Sequence, residues 1–241
     1  MPNSHPHRTT ATFGTLPVFM TAISTILGAI LFLRFGYAVG HLGFAGVIGI
    51  VFLGHMVTIP TAMAVAEIAT NQKVQGGGAY FIISRSFGIN IGSAIGITLY
   101  LSQAISVAFY VIAFSEAFDP LIRHLHYEFN TPLIDKRWVG VSSMTLLSLI
   151  ILTRGAKIGM KALYFVVALL FTSLLFFFLG KSNAPEQPLV LNAQVQNPDN
   201  FFYVFTIIFP AFTGLIAGLG LSGDLRDPSK SIPRGTLMAT L

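Results

Sequence analysis

The chain has 241 residues, 54% hydrophobic and only 10% charged, with 22 Phe against a single Trp. A soluble domain carries about 25% charged residues, so this composition excludes a water-soluble core and predicts an all-α integral membrane protein. The net charge of +5 is spread through the polar segments between apolar runs, which fits a topology signal and not a nucleic-acid surface; with no cysteine, disulfides and thiolate metal sites are excluded.

The first residues, MPNSHPHRTT, are polar, and residues 1–11 are expected to form a disordered cytoplasmic tail whose His5 and His7 carry no metal site. The apolar run behind them is longer than a signal-peptide core of about 7–15 residues, so an uncleaved N-terminus is expected. A crossing needs about 20 apolar residues. On that measure the membrane domain, residues 12–241, has spans at 12–40, 43–68, 89–118, 138–153, 159–180 and 200–222, with a seventh beginning near Arg234. Between spans two and three, NQKVQGGGAYFIISRSFG holds a run of three consecutive glycines but no Gly-Lys-Ser/Thr, which argues against a phosphate loop. A tight turn and a short interfacial helix are expected there. With the N-terminus inside, Arg8, Lys73, Arg85, Arg154, Lys157, Lys161, Arg226, Lys230 and Arg234 face the cytoplasm, against Arg123, Lys136, Arg137 and Lys181 outside. That asymmetry follows the positive-inside rule and predicts a multi-pass protein of the plasma or inner membrane.

Two spans are interrupted. Span one carries Ser24-Thr25 and Gly28 in mid-run; span six, in FPAFTGLIAGLGLSGDLRDPSKSIP, carries Pro210, Thr213-Gly214 and three further glycines. Broken helices are tolerated in a bilayer only where protein or a wet cavity surrounds them. Interruptions in the matching first and sixth positions point to a transporter of two inverted five-helix repeats, with helices 1 and 6 broken near the midplane.

A break at Thr213-Gly214 frees the N–H groups of Gly214, Leu215 and Ile216 for an anion, and the first span offers the same at Gly28, Ala29 and Ile30. A cation would use the carbonyls before the breaks with the hydroxyls of Thr25, Thr213 and Tyr110. No carboxylate lies in the middle of spans one, three or six, so a bound cation needs its charge offset, and a co-bound anion serves. A zwitterionic amino acid would satisfy the same two breaks.

The blocks GAILFLRFGYAVG, AEIATNQKVQGGGAYFIISRSFG and FPAFTGLIAGLGLSGDLRDPSKSIPRGTLMA resemble the cation–chloride cotransporters, of sodium–potassium–chloride and potassium–chloride type, within the amino acid–polyamine–organocation superfamily. The similarity runs in register over nearly the whole chain from about Phe13, and IATN-x4-GGGAY and SGD-x2-DP-x3-IP-x-GT are its narrowest parts. The resemblance implies twelve membrane helices, this chain being the first half, helices 1–6 and the start of 7. It also implies electroneutral symport of chloride with potassium, sometimes with sodium, without a cofactor. Carried over by position, it places potassium on the carbonyls of Thr25, Ile26 and Pro210 and the hydroxyls of Tyr110 and Thr213. One chloride falls on the amides of Gly28, Ala29 and Ile30, the other on those of Gly214, Leu215 and Ile216. It pairs Arg34 with Glu116 as an extracellular gate; an intramembrane Arg is costly unless paired, so a partner is expected on physical grounds as well.

The chain departs from that family in three ways. Thr25 stands where Asn is common, Glu67 replaces a small polar residue as in amino acid permeases, and the second repeat is almost entirely missing. Three functions follow as expectations: a cation–chloride symporter, an amino acid permease of the same superfamily, or a non-transporting fragment or partner subunit. The bilayer, a homodimer and the second half of the fold, in this or another chain, are the expected partners. No nucleophile–base pair stands out, so an enzyme is not expected.

Overall fold

The computed structural model describes residues 13–71, 74, 76–130, 132, 135–154, 156–181 and 191–241. The tail with His5 and His7 lies outside them. The described residues are helical almost throughout, and four helical stretches, Thr15–Asn71, Ile89–Phe129, Ile158–Leu179 and Phe201–Asp224, are long and apolar enough to cross a membrane. The chain is an integral membrane protein, mainly helical in its described residues.

In chain order the helices are α1 (Thr15–Ile26), α2 (Ala29–Asn71), α3 (Gly78–Phe87), α4 (Ile89–Ala117), α5 (Asp119–Phe129), α6 (Lys136–Arg154), α7 (Ala156–Leu179) and α8 (Phe201–Ile208), then a 3-10 segment (Phe209–Asp224) and α9 (Pro228–Thr240). α1 stops at Ile26 and α2 starts at Ala29, so the first interruption falls on Leu27-Gly28. α2 bends sharply at Gly43, where φ is 67°. Only glycine adopts that left-handed angle at no steric cost, and the bend separates the first two expected spans. Arg123, His124 and His126 lie on the helix α5, which has Pro120 at its second position.

The chain divides into two compact units. The first comprises residues 13–26, 48–96 and 209–241. Its core is Val18, Ala69, Val74, Ile82, Leu219, Leu225 and Ile232. Here α1 packs on both the 3-10 segment and α9, and α3 packs on the 3-10 segment. Glycines allow the close approach: a Cβ at Gly218 would lie 2.7 Å from Val18 Cγ1, and one at Gly235 2.7 Å from Val18 Cβ. The three-glycine turn closes the same unit, for the Gly78 amide donates to Ser222 Oγ at 3.2 Å and Gly76 lies against Gly223. Phe13 is tied in as well, its N–H donating to the Asp224 carbonyl and its carbonyl accepting from Arg226 N–H.

The second unit comprises residues 27–47 and 97–208, that is, the first arm of α2, most of α4, α5 to α7, and the segment 191–200 leading into α8. Large apolar side chains along α4, α6 and α7 remain exposed, among them Ile105, Leu152 and Phe176, as lipid-facing helices require.

Candidate functional site

Pro210 has no N–H to give to a carbonyl one turn back. α8 therefore ends at Ile208, and the chain continues as a 3-10 helix of 16 residues. Runs beyond three or four residues are uncommon in that winding; here the contacts with α1, α3 and α9 hold it. Gly214 is buried where the end of α1 meets the segment. A Cβ there would stand 2.7 Å from the Ile26 nitrogen and 2.8 Å from Thr25 Cβ. The first unit thus brings Thr25, Ile26 and Gly214 together, with Pro210 and Thr213 on the same segment.

The hydroxyls have a defined state. Thr25 Oγ1 donates to the Thr21 carbonyl at 2.9 Å, and Thr213 Oγ1 donates to the Pro210 carbonyl at 2.8 Å. A hydroxyl has one proton and two lone pairs. With the proton already given to its own helix, each oxygen presents lone pairs alone, which suits a cation and repels an anion. A second contact braces this stretch. The Phe212 ring sits edge-on to His55, centroids 5.4 Å apart, and a Cβ on Gly54 would come within 2.7 Å of it. His55 is itself bonded through Nδ1 to the Val51 carbonyl at 2.9 Å.

The two sets of amides differ. Gly28, Ala29 and Ile30 stand at the true start of α2, where the first N–H groups have no partner within the helix. Gly214, Leu215 and Ile216 lie inside the 3-10 segment instead of opening a new α-helix, because the departure from α-geometry comes at Phe209 and not at Thr213. In 3-10 winding each interior amide is aimed at the carbonyl three residues back.

In the second unit Arg34 Nη2 and Glu116 Oε2 are 2.8 Å apart, joining the first arm of α2 to the end of α4, with side-chain exposures of 40% and 30%. The contact uses one nitrogen and one oxygen. Tyr110 is also in this unit, half exposed, and lines an apolar groove of about 590 Å³ with Phe114, Met144 and Leu147.

Glu67 is exposed at the end of α2, where its carbonyl accepts from Thr70 and Asn71. Asp227 precedes α9, but its backbone carbonyl caps the helix, accepting from Lys230 and Ser231 N–H. Its carboxylate instead receives the Ser229 hydroxyl at 2.6 Å and lies 3.2 Å from Lys230 Nζ. These contacts, the Ser229 bond foremost, hold its pKa below the ordinary carboxyl value. Sequence reasoning missed a cluster of Tyr37, His41 and Asp199 in the second unit. Arg34, Tyr37 and His41 recur at i, i+3 and i+7, one face of a helix, which was its only sequence signal.

The amino acid permease family model matches residues 17–241. The chain is 35% identical over 237 residues to solute carrier family 12 member 1 of Mus musculus and of Homo sapiens, in each case over 92% of this chain and 22% of the relative. It is 36% identical over 237 residues to solute carrier family 12 member 2 of Danio rerio, over 93% of this chain and 21% of the relative. The chain therefore spans about a fifth of the length of these relatives. These matches bear out the family recognised from the three sequence blocks, and the chain belongs to the amino acid permease family.

Proposed function

We propose that this chain is part of a secondary active transporter that moves chloride together with potassium, in some conditions with sodium, and electroneutrally. The observation that carries the reading is the meeting of the two interrupted spans: Thr25 and Ile26 at the end of α1 against Gly214 of the 3-10 segment. Around that meeting point lie hydroxyl oxygens with their protons turned away, and the carbonyls of Thr25, Ile26 and Pro210 belong to the same stretch. Tyr110, from α4, is the remaining cation ligand of this reading. No carboxylate lies in the middle of spans one, three or six, so in this reading a bound potassium is neutralised by chloride on the amides of Gly28, Ala29 and Ile30. A second chloride is assigned to Gly214, Leu215 and Ile216, whose amides must first leave the carbonyls three residues back to receive it. The Arg34–Glu116 pair is the outer gate, the N-terminus faces the cytoplasm, and the complete site takes its remaining walls from a second inverted repeat. A homodimer in the plasma or inner membrane is the assembly that goes with this reading.

The test is rubidium uptake by the complete protein in vesicles. Uptake is expected to need external chloride and to fall to background when gluconate replaces it; uptake that persists in gluconate overturns the symport. A second reading has its own support, the amino acid permease family model and Glu67. It predicts that amino acids compete for a labelled amino acid bound to the protein, and that chloride has no effect.

A further inference from the structure

Residues 191–200 form a strap that runs back along the first arm of α2 within the second unit. Leu191 and Asn192 cross Gly43 so closely that a Cβ there would stand 2.5 Å from the Asn192 oxygen. Gln194 N–H donates to the Gly40 carbonyl at 2.8 Å. At the far end Asp199 meets two side chains of the arm. Its backbone N–H donates to His41 Nδ1 at 2.9 Å. Its carboxylate accepts the Tyr37 hydroxyl and stands 3.2 Å from the same His41 nitrogen. The Tyr37 and His41 rings lie beside one another with centroids 4.1 Å apart. The hold survives either charge on His41, since a neutral Nδ1 accepts the Asp199 N–H and a protonated one donates to the carboxylate.

Asn200, the next residue, caps α8: its Oδ1 accepts from Tyr203 N–H at 2.9 Å and its carbonyl from Val204 N–H at 3.1 Å. The arm of α2 is the second half of the first span, and α8 is the first half of the sixth. Among the described residues the two helices pack little on one another along their lengths, so the tie at Asp199 is what joins them. Tyr37 stands eight residues after Ala29, where α2 begins, and α8 runs seven residues on from Phe201 to Ile208. The tie is therefore about 10–12 Å of helix from each interruption.

We propose that Asp199 is a positioning residue: its carboxylate, on the Tyr37 hydroxyl, ties the start of α8 to the first arm of α2, so that the two half-spans keep one spacing. The effect on ions rests on the transport reading above; the tie itself does not. With the tie broken, only a fraction of molecules hold the start of α2 and the end of α8 at their proper separation, and apparent cation affinity falls by that fraction.

Hydrogen exchange of the complete protein in lipid nanodiscs reads the tie without any transport assay. Tyr37→Phe keeps the ring beside His41 and removes only the hydroxyl. It is expected to lower the protection of residues 200–206, on the other helix, on the order of tenfold, as loss of a hydrogen bond to a charged group does. Asp199→Ala is expected to do the same, and the double variant to fall no further than the lower of the two. Asp199→Asn keeps an acceptor oxygen for Tyr37 and is expected to stay near wild type. In vesicles with chloride-dependent uptake, the KM for rubidium is expected to rise several-fold in Tyr37→Phe and Asp199→Ala, and to return in Asp199→Asn. Unchanged protection of 200–206 in Tyr37→Phe overturns the tie, as does an Asp199→Asn protein no better protected than Asp199→Ala. An unchanged KM in both weakened variants overturns the positioning role. A wild type without chloride-dependent uptake overturns the transport reading alone, and the exchange result still decides the tie.

Discussion

At the residue scale, Gly214 and Gly220 make an informative pair. Both stand in the same 3-10 segment, and sequence alone gives no reason to rank them. At Gly214 a side chain meets the backbone of Ile26 and the Cβ of Thr25, neither of which is a flexible tip; at Gly220 nothing lies within 4 Å. Overpacking of a close contact costs about 1–3 kcal/mol. Gly214→Ala is therefore expected to lower the thermal midpoint by several degrees and to weaken cation affinity, whereas Gly220→Ala leaves both near wild type. Thermal unfolding in detergent with rubidium titration checks this, and equal effects of the two substitutions would contradict the contact. The hydroxyls carry a related lesson. Thr25 and Thr213 back-bond to their own helices, an arrangement often set against ligand duty. Here the two are compatible, because donating the proton leaves the oxygen's lone pairs outward.

At the scale of elements, the two narrowest motifs explain one another. The three glycines at the start of α3 and the Ser222-Gly223 end of the 3-10 segment are 144 residues apart in the bond between Gly78 and Ser222, yet they form one clasp. Gly78 has φ 57° and its missing Cβ would lie 3.0 Å from the Leu219 carbonyl, so spacing and residue type are both dictated by contact. The turn that follows is set by Asp227. Its carboxyl is held below the ordinary value, chiefly by the Ser229 hydroxyl and then by Lys230. The folded state thus favours the ionised form, and the stability this lends is complete above an unfolded value of about 3.9. It is lost as pH falls through the lower folded value. Thermal midpoints measured from pH 7 to pH 3 should drop less steeply below about pH 4 for Asp227→Asn than for wild type; identical slopes would refute the assignment.

At the scale of the whole molecule, lipid is the solvent for much of the second unit. Ile105 on α4 is 71% exposed, and the apolar side chains of Leu101 and Phe109, one turn away on either side, are exposed as well. Ile105→Arg is expected to cost about 2.5–3.5 kcal/mol in membrane insertion, read as the inserted fraction in a translocation assay; undiminished insertion would place that face elsewhere. That the chain crosses a membrane was legible because about 20 apolar residues in a row admit few other readings. The first interruption was legible because Gly28 is conspicuous in such a run; the second begins at Phe209 beside Pro210, short of the Thr213-Gly214 break that the sequence suggested. The pairing of Arg34 with Glu116, 82 residues away, came from family resemblance, and no pattern in the sequence announced Asp199 as the partner of Tyr37 and His41. Nor did the sequence disclose 3-10 winding, since the choice between bonds to the third and the fourth residue is made by what packs against the helix. That choice changes a length. A 3-10 helix rises about 2.0 Å per residue against 1.5 Å for an α-helix, so the 16 residues from Phe209 to Asp224 extend about 32 Å where α-winding would give about 24 Å. Rewinding the segment as an α-helix would draw its two ends together by about 8 Å.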